Sequence, residues 1–548
     1  MLTSAIAQVV AAHLGAPLEA RYNPASTAKF GDIGISLHHL DDSFLAEREW
    51  IDALSALPVV REVRVVGQFL NVTLDRSAAI EYVLGRRLVP EDNAACAPVL
   101  LEHTSINPNA APHVGRARNA ILGDSIARIL RSVGAEVERR YFVNDFGKQI
   151  GLLMVALGPR GVKGVEFSSV LAKYIEINER AKEDPEIGEK ALELLGRAEA
   201  GDDAVLESLR SIAKHSLAGQ IEILARLGIS FDEFDFETEL LGSKEIDEVE
   251  VHLRARGASF VDDDGRLVVD LSKLGYEHDA GRYIVLRRAN GSSMYALRDL
   301  AYNIRKARWC KGGRNIVVLG EDHKAYMEQI GLILSSIGYE PPEQIYYSYV
   351  VLRDGKMSTR RGNVVLLDEF IDLAVRSAEL RLREANLNME AADRRAIADQ
   401  VAVAAVRFSL LKSAPNSSIV FDLDAATRLE GATGPYLQYT AVRCHALLAK
   451  AANVPRRERE SISSPLWEIV KIVDEYATTL QRSAERLEPH LLSDYLLRLA
   501  KVVNRFYNAE RVITAGTADR LAVRVLERVT QILDHGLELQ GIEVPEGM

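Results

Sequence analysis

The chain has 548 residues, a length that predicts about three or four domains of roughly 150 residues each. Hydrophobic residues make up 47% and charged residues 26%, with 37 Gly and 17 Pro, which excludes collagen-like, low-complexity and largely disordered proteins. The net charge of −11 argues against a wholly cationic surface, but a local basic face can still bind phosphate.

The cysteines and the apolar segments predict a protein of the cytoplasm. Cys96, Cys310 and Cys444 are too far apart for a CxxC zinc site or a readable disulfide framework. The N-terminal segment lacks the basic start of a signal peptide, and its apolar spacing suits an amphipathic helix. No apolar run approaches the roughly 18 residues of a membrane span. We therefore expect a cytoplasmic protein without a membrane association.

Three regions follow one another along the chain. Residues 1–95 are predicted to form a small α+β domain that contains the hairpin VVREVRVVGQFLNVTL, and the linker RLVPEDNAACAP ends it. Residues 96–370 alternate strands with helices, which predicts a doubly wound, parallel, Rossmann-like α/β sheet. Residues 371–548 have helical periodicity and are predicted to form an all-α bundle.

The predicted strands of the α/β region are VLLEH, VERRYFV, YIVLRR, NIVVLG and IYYSYVVL. Charged helices and the hairpin FVDDDGRLVVDL interrupt this rhythm at about 160–280. These residues are therefore predicted to form an insertion in the sheet domain, with Asp-Asp-Gly as a tight turn.

The first chemically informative window is EHTSINPNAAPHVGRARNAILGDSIARIL, in which His113-Val114-Gly115-Arg116 opens a helix after a strand and a loop. A helix N-terminus presents free N–H groups and a positive dipole end, which favours a polyphosphate. Gly115 would let a nucleotide approach the backbone, and His113 and Arg116 would both reach its phosphates. Alone, such a tetrapeptide also recurs by chance.

The second window is LRDGKMSTRRGNVV, a flexible loop that combines hydroxyl and cationic side chains after a buried strand. Positive donors such as Lys356 and Arg360 suit a pyrophosphate leaving group, whose charge grows in the transition state. In isolation, a solvated basic turn explains this window better.

Together, and in this order, the two windows resemble the HIGH and KMSKS signatures of class I aminoacyl-tRNA synthetases. Within that class the chain resembles the arginyl-tRNA synthetases over essentially its full length. The resemblance also rests on EHTSINPN, VNDFGKQIG, MYALRD and LEGATGPYLQYTAVR.

The resemblance implies an arginine pocket made of Glu102, Ser105, Asn107, Tyr295, Asp299 and Glu237. Ser105 and Asn107 would hold the α-amino and carboxyl groups, whereas Asp299 would receive the guanidinium under Tyr295. A carboxylate can hold a planar guanidinium through two hydrogen bonds, and a wrong substrate leaves that carboxylate unpaired. Without the resemblance, Asp299 would equally well be a helix-surface carboxylate, and Tyr295 would more often be a core residue.

The resemblance also implies an ATP site made of His113, Gly115, Arg116, Asp322, His323, Lys356 and Met357. His113, Arg116, Lys356, Ser358 and Arg360 would carry catalysis. Mg²⁺ would enter with ATP, and no protein metal ligand is expected. The chain departs from the family at Arg116, where His is usual, and at Thr359, where many class I enzymes have Lys. Ala110 stands where arginyl-tRNA synthetases often supply a compensating Lys.

The implied function is ATP-dependent formation of arginyl-adenylate and transfer of arginine to the terminal ribose of tRNA(Arg). The family is usually monomeric and often needs tRNA before it activates arginine. Residues 1–95 would contact the tRNA elbow, and the bundle would read the anticodon. The segment GPYLQY, 434–439, could contact RNA or simply start a helix. Two alternatives stay open: a paralogue that adenylates arginine for a non-tRNA acceptor, and a catalytically inactive tRNA-binding relative.

Overall fold

The computed structural model describes residues 1–14, 18–24, 29–38, 49–89, 97–109, 111–158, 161–278, 281–353, 365–385 and 390–548. Within these ranges an N-terminal α+β unit precedes a parallel sheet with helices, and a helical bundle follows. The predicted α/β class with a Rossmann-like sheet is confirmed.

The N-terminal unit packs helices against an antiparallel sheet in the order β1-β2-β4-β3, whose ranges follow. The elements are α1 (Leu2–Leu14), β1 (Ala20–Tyr22), β2 (Ile33–Ser36), α2 (Glu49–Ser55), β3 (Val60–Val66), β4 (Phe69–Leu74) and α3 (Arg76–Gly85). The predicted hairpin is confirmed as β3 and β4, which pair antiparallel. Gly67 between them has a φ of 59°, a left-handed conformation that glycine adopts at no steric cost.

The middle of the chain supplies the parallel sheet and its helices. Its elements are β5 (Val99–Glu102), α4 (Val114–Ser132), β6 (Val137–Val143), α5 (Lys148–Leu157), α6 (Phe167–Glu183), α7 (Pro185–Glu199), α8 (Asp203–Ala225), β7 (Glu233–Phe236), α9 (Lys244–Ala255), β8 (Ser259–Val261), β9 (Leu267–Asp270), β10 (Tyr283–Arg287), α10 (Tyr295–Trp309), β11 (Arg314–Gly320), α11 (Lys324–Ser336), β12 (Glu343–Tyr347) and β13 (Val350–Leu352). The parallel sheet has the order β12-β11-β5-β6-β7. Its edge strand β7 comes from within the stretch predicted as an insertion.

Two of the predicted strands do not belong wholly to the parallel sheet. YIVLRR is β10, which pairs antiparallel with β9 in the separate sheet β10-β9-β8. Burial alternates along β10, whereas every residue of β5 is buried; alternation is typical of a half-exposed antiparallel strand and continuous burial of a parallel one.

The predicted strand IYYSYVVL is divided between β12 and β13. Buried Arg118 donates from Nη1 to the carbonyl oxygens of Ser348 and Ser417, both at 2.7 Å. The Ser348 N–H donates to the carbonyl oxygen of Pro415 at 2.9 Å. These bonds tie residue 348 to the loop at 414–417, and so the chain leaves the parallel sheet there.

The C-terminal region is a helical bundle, as predicted, with short strands inserted. Its elements are α12 (Leu367–Glu384), α13 (Ala391–Leu411), β14 (Ile419–Phe421), α14 (Leu423–Ala426), α15 (Gly434–Ala452), β15 (Arg456–Arg457), α16 (Ser464–Asp474), α17 (Tyr476–Arg486), α18 (His490–Ala509), β16 (Ile513–Thr514), β17 (Thr517–Asp519) and α19 (Arg520–Leu539). β14 pairs with β13, and β15, β17 and β16 form a small sheet. The expectation of an entirely helical region missed these strands, because two or three residues leave no readable alternation.

The N-terminal unit is bonded to the bundle through buried acidic groups. The backbone N–H of Leu2 donates to both carboxylate oxygens of Asp474, at 2.8 and 3.0 Å, and the Tyr22 hydroxyl donates to Oδ2 at 3.0 Å. The Trp467 indole donates to Asp32 Oδ1 at 3.0 Å. The two regions therefore share directional contacts as well as apolar surface.

Asp124 on α4 lies at a second junction and is fully buried. Arg407 on α13 donates to its Oδ2 at 2.6 Å, and Arg128 donates to the same oxygen at 2.8 Å. Arg407 also donates to the carbonyl oxygens of Leu227 and Gln540, at 2.7 and 2.5 Å. Burial acts to raise the pKa of Asp124, but the two guanidinium groups hold it below its usual value. This carboxylate is therefore ionised in the interior, where four segments of chain meet.

Among the residues that the structure describes, none of the helices combines the length and the apolar composition needed to cross a bilayer.

Replacing Arg407 with Met is expected to lower the free energy of unfolding by about 3–5 kcal/mol, because Asp124 would keep its buried charge without its main partner. Urea denaturation followed by circular dichroism measures this change. The matched control is Arg21→Met, which breaks an exposed pair with Glu19 and should leave the midpoint almost unchanged. Equal midpoints for both variants would contradict the assigned role of Asp124.

Candidate active site

A cavity of about 720 Å³ lies at the carboxyl edge of the parallel sheet. β6 and β7 lie on one side of β5, and β11 and β12 lie on the other. The loops that leave β5 and β11 therefore diverge, and such a switch point opens a crevice that binds ligands in α/β proteins. The predicted site residues that line this cavity are Glu102, Ser105, Asn107, Arg116, Glu237, Tyr295, Asp299 and His323.

The loop after β5 turns sharply at Thr104 and Ser105, whose φ angles are 76° and 42°. This left-handed conformation is uncommon for residues other than glycine. The Thr104 N–H donates to Asn119 Oδ1 at 2.6 Å, and Ser105 Oγ accepts from the Phe142 N–H at 3.2 Å. Helix α4 and strand β6 thus hold the turn that presents Ser105 to the cavity.

Both polar atoms of the Asn107 side-chain amide, and its backbone carbonyl oxygen, are hydrogen-bonded. Its Nδ2 donates to Gln149 Oε1 at 3.1 Å, and its Oδ1 accepts from Asn144 Nδ2 at 2.7 Å. The side chain of Gln220 donates to the Asn107 carbonyl oxygen at 3.0 Å. Asn107 is thereby fixed in orientation, and a substrate that contacts it would also be close to Asn144 and Gln149, which line the same cavity.

Glu102, at the end of β5, forms a buried ion pair with Lys306. The Lys306 ammonium donates to Glu102 Oε2 at 2.6 Å and lies 4.6 Å from the ring centroid of Tyr302. Only 2% of Lys306 is exposed. One oxygen of Glu102 is therefore occupied by a residue of the protein.

Tyr295 and Asp299 lie one turn apart at the start of α10. The Tyr326 hydroxyl donates to Asp299 Oδ2 at 2.5 Å, and the rings of Tyr295 and Tyr326 are 5.3 Å apart. Burial raises the pKa of Asp299, and the bond from Tyr326 opposes this shift. Tyr295 is 55% exposed, so its ring remains open to a ligand, one helical turn from a carboxylate that Tyr326 already orients.

Glu237, the second predicted carboxylate for the guanidinium, lies directly after β7 and is paired with Arg298. Arg298 Nε donates to Glu237 Oε1 at 2.6 Å, and both side chains are 6% exposed. Burial raises the pKa of Glu237 to about 7, Arg298 opposes the shift, and Asp299 and Asp145 add to it. Buried Asp145 accepts from the Thr238 N–H and hydroxyl, at 2.8 and 2.6 Å. This end of the cavity is therefore rich in carboxylates, as a cationic ligand requires.

His113 is the N-cap of α4, and Arg116 follows in its first turn. Burial lowers the pKa of His113 to about 4, and the charge of Arg116 adds to the shift, so the imidazole is neutral at pH 7. A Cβ at Gly115 would lie 3.0 Å from the His113 ring, so a larger residue there would require the ring to shift. His113 and Gly115 lie outside the cavity lining, whereas Arg116 belongs to it.

The second window lies largely outside the described residues, and this includes Lys356, Met357, Ser358, Thr359 and Arg360. Ala110 of the first window also lies outside them.

The chain that follows the second window is anchored beside His113. The Val114 N–H donates to the Val365 carbonyl oxygen at 3.2 Å, and the Leu367 N–H donates to that of Pro112 at 2.8 Å. These bonds bring the end of the second window next to the start of α4.

The segment after β11 contains Asp322 and His323, two of the predicted ATP-site residues. His323 lines the cavity, and its Nε2 lies 3.8 Å from Asp322 Oδ2. Asp322 is exposed and lies outside the lining. Within the described ranges, no group of three or more His, Cys, Asp or Glu side chains is arranged to hold a metal ion.

Several residues that shape the cavity were not predicted from the sequence. They are Asn144, Gln149, Arg298, Lys306 and Tyr326, which line it, and Asp145, which bonds to Thr238 next to Glu237. A signal for Lys306 was available, because positions 295, 299, 302 and 306 follow the spacing i, i+4, i+7, i+11 of one helix face. All four line the cavity.

The comparisons with known proteins agree with this arrangement. The family described as tRNA synthetases class I (R), catalytic domain, matches residues 86–423, and the DALR anticodon binding domain matches residues 437–548. An arginine–tRNA ligase of Methanocaldococcus jannaschii is 29% identical over 100% of this chain and 99% of its own length. One from Archaeoglobus fulgidus is 34% identical over 82% of this chain and 81% of its own.

A solved structure extends the similarity to the fold. The Thermus thermophilus arginyl-tRNA synthetase has a TM-score of 0.82 and 26% identity, and the alignment covers 100% of both chains. The catalytic-domain family matches more than half of this chain, and the anticodon-binding family matches the region after it. The chain therefore belongs to the arginyl-tRNA synthetase family of class I.

Proposed function

We propose that this chain is an arginine–tRNA ligase, which activates L-arginine with ATP and esterifies it to the 3′-terminal ribose of tRNA(Arg). The observation that supports this most is the polarity of one cavity. Asp299 and Glu237 lie in its wall, and so does Arg116 from the first turn of α4. Carboxylates suit a guanidinium, and a helix N-terminus suits a polyphosphate.

The reaction needs no covalent intermediate with the enzyme. The carboxylate of arginine attacks the α-phosphorus of ATP, and pyrophosphate leaves. A ribose hydroxyl of tRNA then attacks the carbonyl carbon of the adenylate, AMP leaves, and the hydroxyl proton passes to solvent. Catalysis in such a scheme is mainly positioning and charge stabilisation.

The site residues are assigned within that scheme as proposed contacts. Asp299 on α10 would bind the guanidinium under the exposed ring of Tyr295. Glu237, which follows β7, would bind the same group. The turn at Ser105 and the fixed amide of Asn107 would orient the α-amino and carboxylate groups. Glu102 would act in its pair with Lys306, as part of the pocket wall.

The phosphate end is assigned to α4 and the second window. Neutral His113 can donate one N–H, and Arg116 supplies a permanent charge. Mg²⁺ is expected to enter with ATP, bound to its phosphate oxygens. The contributions of Lys356, Ser358 and Arg360 stay predictions, because these residues lie outside the described ranges.

The bundle is proposed to bind the anticodon of tRNA(Arg). The Arg443 guanidinium lies 4.6 Å from the ring centroid of Tyr507 and 5.5 Å from that of Tyr439, which places a cation among half-buried aromatic rings. Aromatic and arginine faces of this kind stack unpaired bases.

Gly434 is explained by packing at the start of α15. A Cβ there would lie 2.2 Å from the Ala404 carbonyl oxygen. RNA contact at 434–439 therefore depends on the tyrosines of that segment, and it stays a prediction.

The alternatives have no support in the comparisons, since the relatives named above are arginine–tRNA ligases. We also propose the cytoplasm, where tRNA is charged, and a monomeric state.

The proposal is tested by ATP–pyrophosphate exchange with arginine, with and without tRNA(Arg), and with lysine as the control amino acid. Exchange is expected with arginine and not with lysine, because a lysine ammonium cannot form the two parallel bonds of a guanidinium. Folded protein that binds tRNA(Arg) but shows no exchange in any mixture would overturn the proposal.

Asp299→Asn is expected to raise the KM for arginine about 10- to 100-fold, as expected for losing a charged hydrogen bond. Tyr326→Phe should raise it less. The Tyr326 hydroxyl stabilises the ionised form of Asp299, so its loss should raise the pKa of Asp299. The increase of arginine affinity with pH should then occur at higher pH. Exchange rates over a series of arginine concentrations and pH values measure both effects. An unchanged arginine KM in Asp299→Asn would remove this residue from the pocket.

Arg116→Ala is expected to lower kcat about 100-fold, as for the loss of one preorganised donor to a developing anion. The arginine KM should be nearly unchanged, since Arg116 belongs to the phosphate end. Arg116→His, which restores the residue usual in the family, is the matched control and should retain most activity. Equal rates for Arg116→Ala and the wild type would show that other cations neutralise the pyrophosphate.

A further inference from the structure

Arg298 is a buried cation in the wall of a pocket that is proposed to receive a cation. Its Nε donates to Glu237 Oε1 at 2.6 Å. Its Nη1 donates to the carbonyl oxygen and to the hydroxyl of Ser293, at 2.7 and 2.8 Å. Its guanidinium lies 4.9 Å from the ring centroid of Phe146. The Arg298 guanidinium is therefore fixed in position by Glu237, Ser293 and Phe146.

The groups that face Glu237 come from several elements, and two of them are carboxyl groups. They are Arg298 and Asp299 on α10, Asp145 after β6, and Tyr326 on α11. Arg210 on α8 bonds to the next residue along the chain instead, since it donates to the Thr238 hydroxyl at 3.0 Å. Arg298 is thus the cation in direct contact with Glu237, and it opposes the repulsion from two neighbouring carboxyl groups.

The charge state of Glu237 determines how strongly the pocket can bind a cationic ligand. Burial already raises the pKa of Glu237 to about 7 with Arg298 in place. Loss of Arg298 would raise it further, and a protonated carboxyl group offers a guanidinium no negative charge. The bond to Oε1 also leaves Oε2 as the oxygen that can accept from a ligand.

We propose that Arg298 is a positioning residue for arginine recognition, which fixes one oxygen of Glu237 and keeps this carboxylate charged for the substrate guanidinium. The inference rests on the proposed function, because it takes arginine as the ligand of the cavity. Arg298 itself touches no reacting atom. It acts on the substrate through Glu237, and so its removal should affect arginine binding more than the chemical step.

The test compares wild type, Arg298→Met and Arg298→Lys in ATP–pyrophosphate exchange with tRNA(Arg) present, at pH values from 6 to 9. At pH 7, Arg298→Met should raise the arginine KM about fivefold or more, because a rise of about one unit in a pKa near 7 lowers the ionised fraction of Glu237 from about a half to about a tenth. The defect should shrink as the pH rises and Glu237 ionises. The kcat and the ATP KM should stay within about twofold of wild type. Arg298→Lys restores the charge and should lie between the two.

Arg140→Met is the matched control for loss of a partly buried arginine in the same domain. Arg140 donates to Asp235 at 2.7 Å and lies 3.9 Å from the ring centroid of Trp309. This variant should lose stability, but the pH profile of its arginine KM should match that of wild type. A pH profile that differs equally in Arg140→Met and Arg298→Met would overturn the proposal.

An arginine KM and pH profile in Arg298→Met equal to those of wild type would also overturn the proposal. So would a lower kcat with an unchanged pH profile, since that is the result of a merely structural role. If Arg298→Met does not fold, Ser293→Ala removes one acceptor of Arg298 and should move the profile in the same direction by less; no movement would again reject the inference. Absence of arginine-dependent exchange in the wild type would instead reject the proposed function.

Discussion

The buried charge of Asp124 is the constraint on which the arrangement of the chain depends. A carboxylate removed from water is tolerated only with compensating cations and hydrogen bonds, and here these come from Arg128 and Arg407. Because Arg407 also binds backbone oxygens at 227 and 540, its guanidinium joins α4, α13, the end of the α8 region and the segment after α19. The helix that follows His113 therefore has its position set by the bundle as well as by its own sheet.

The cavity has its two chemical ends because of the strand order and the periodicity of one helix. Strand β5 lies between β6 and β11, so the turn at 104–105 and the first turn of α4 both open on the crevice. Helix α10 faces the same space with residues spaced at i, i+4, i+7 and i+11. Asp299 and Lys306 thus lie on one stripe, with an acidic group near the start of the helix and a cation that neutralises Glu102 two turns later. Asp299 on this stripe and Arg116 on α4 thus give the cavity an acidic part and a cationic part, which suits a substrate that is cationic at one end and reacts with an anion at the other.

The sequence predicted the elements that carry local signals and missed those that depend on tertiary partners. The hairpin around Gly67, strands β5, β6 and β11, and the helix that starts after His113 could all be predicted from alternation, apolar runs and turn residues. The pairing of β10 with β9 could not, since a short apolar strand does not reveal its neighbour. For the same reason Glu102 and Glu237 were predicted in the pocket, but their pairs with Lys306 and Arg298 were not: partners 204 and 61 residues away leave no local trace.

The left-handed turn at Thr104 and Ser105 has a consequence for how this region tolerates change. Two successive non-glycine residues in this conformation each cost of order 1–3 kcal/mol. Here the bond that Thr104 donates to Asn119 and the bond that Ser105 accepts from Phe142 maintain them. Glycine at position 104 would relieve strain and strengthen the fold, yet it would loosen the backbone that orients Ser105. Evolutionary or engineered gains in thermal robustness at this turn would therefore compete with catalytic efficiency, and the best-folded variant of this loop would not be the best enzyme.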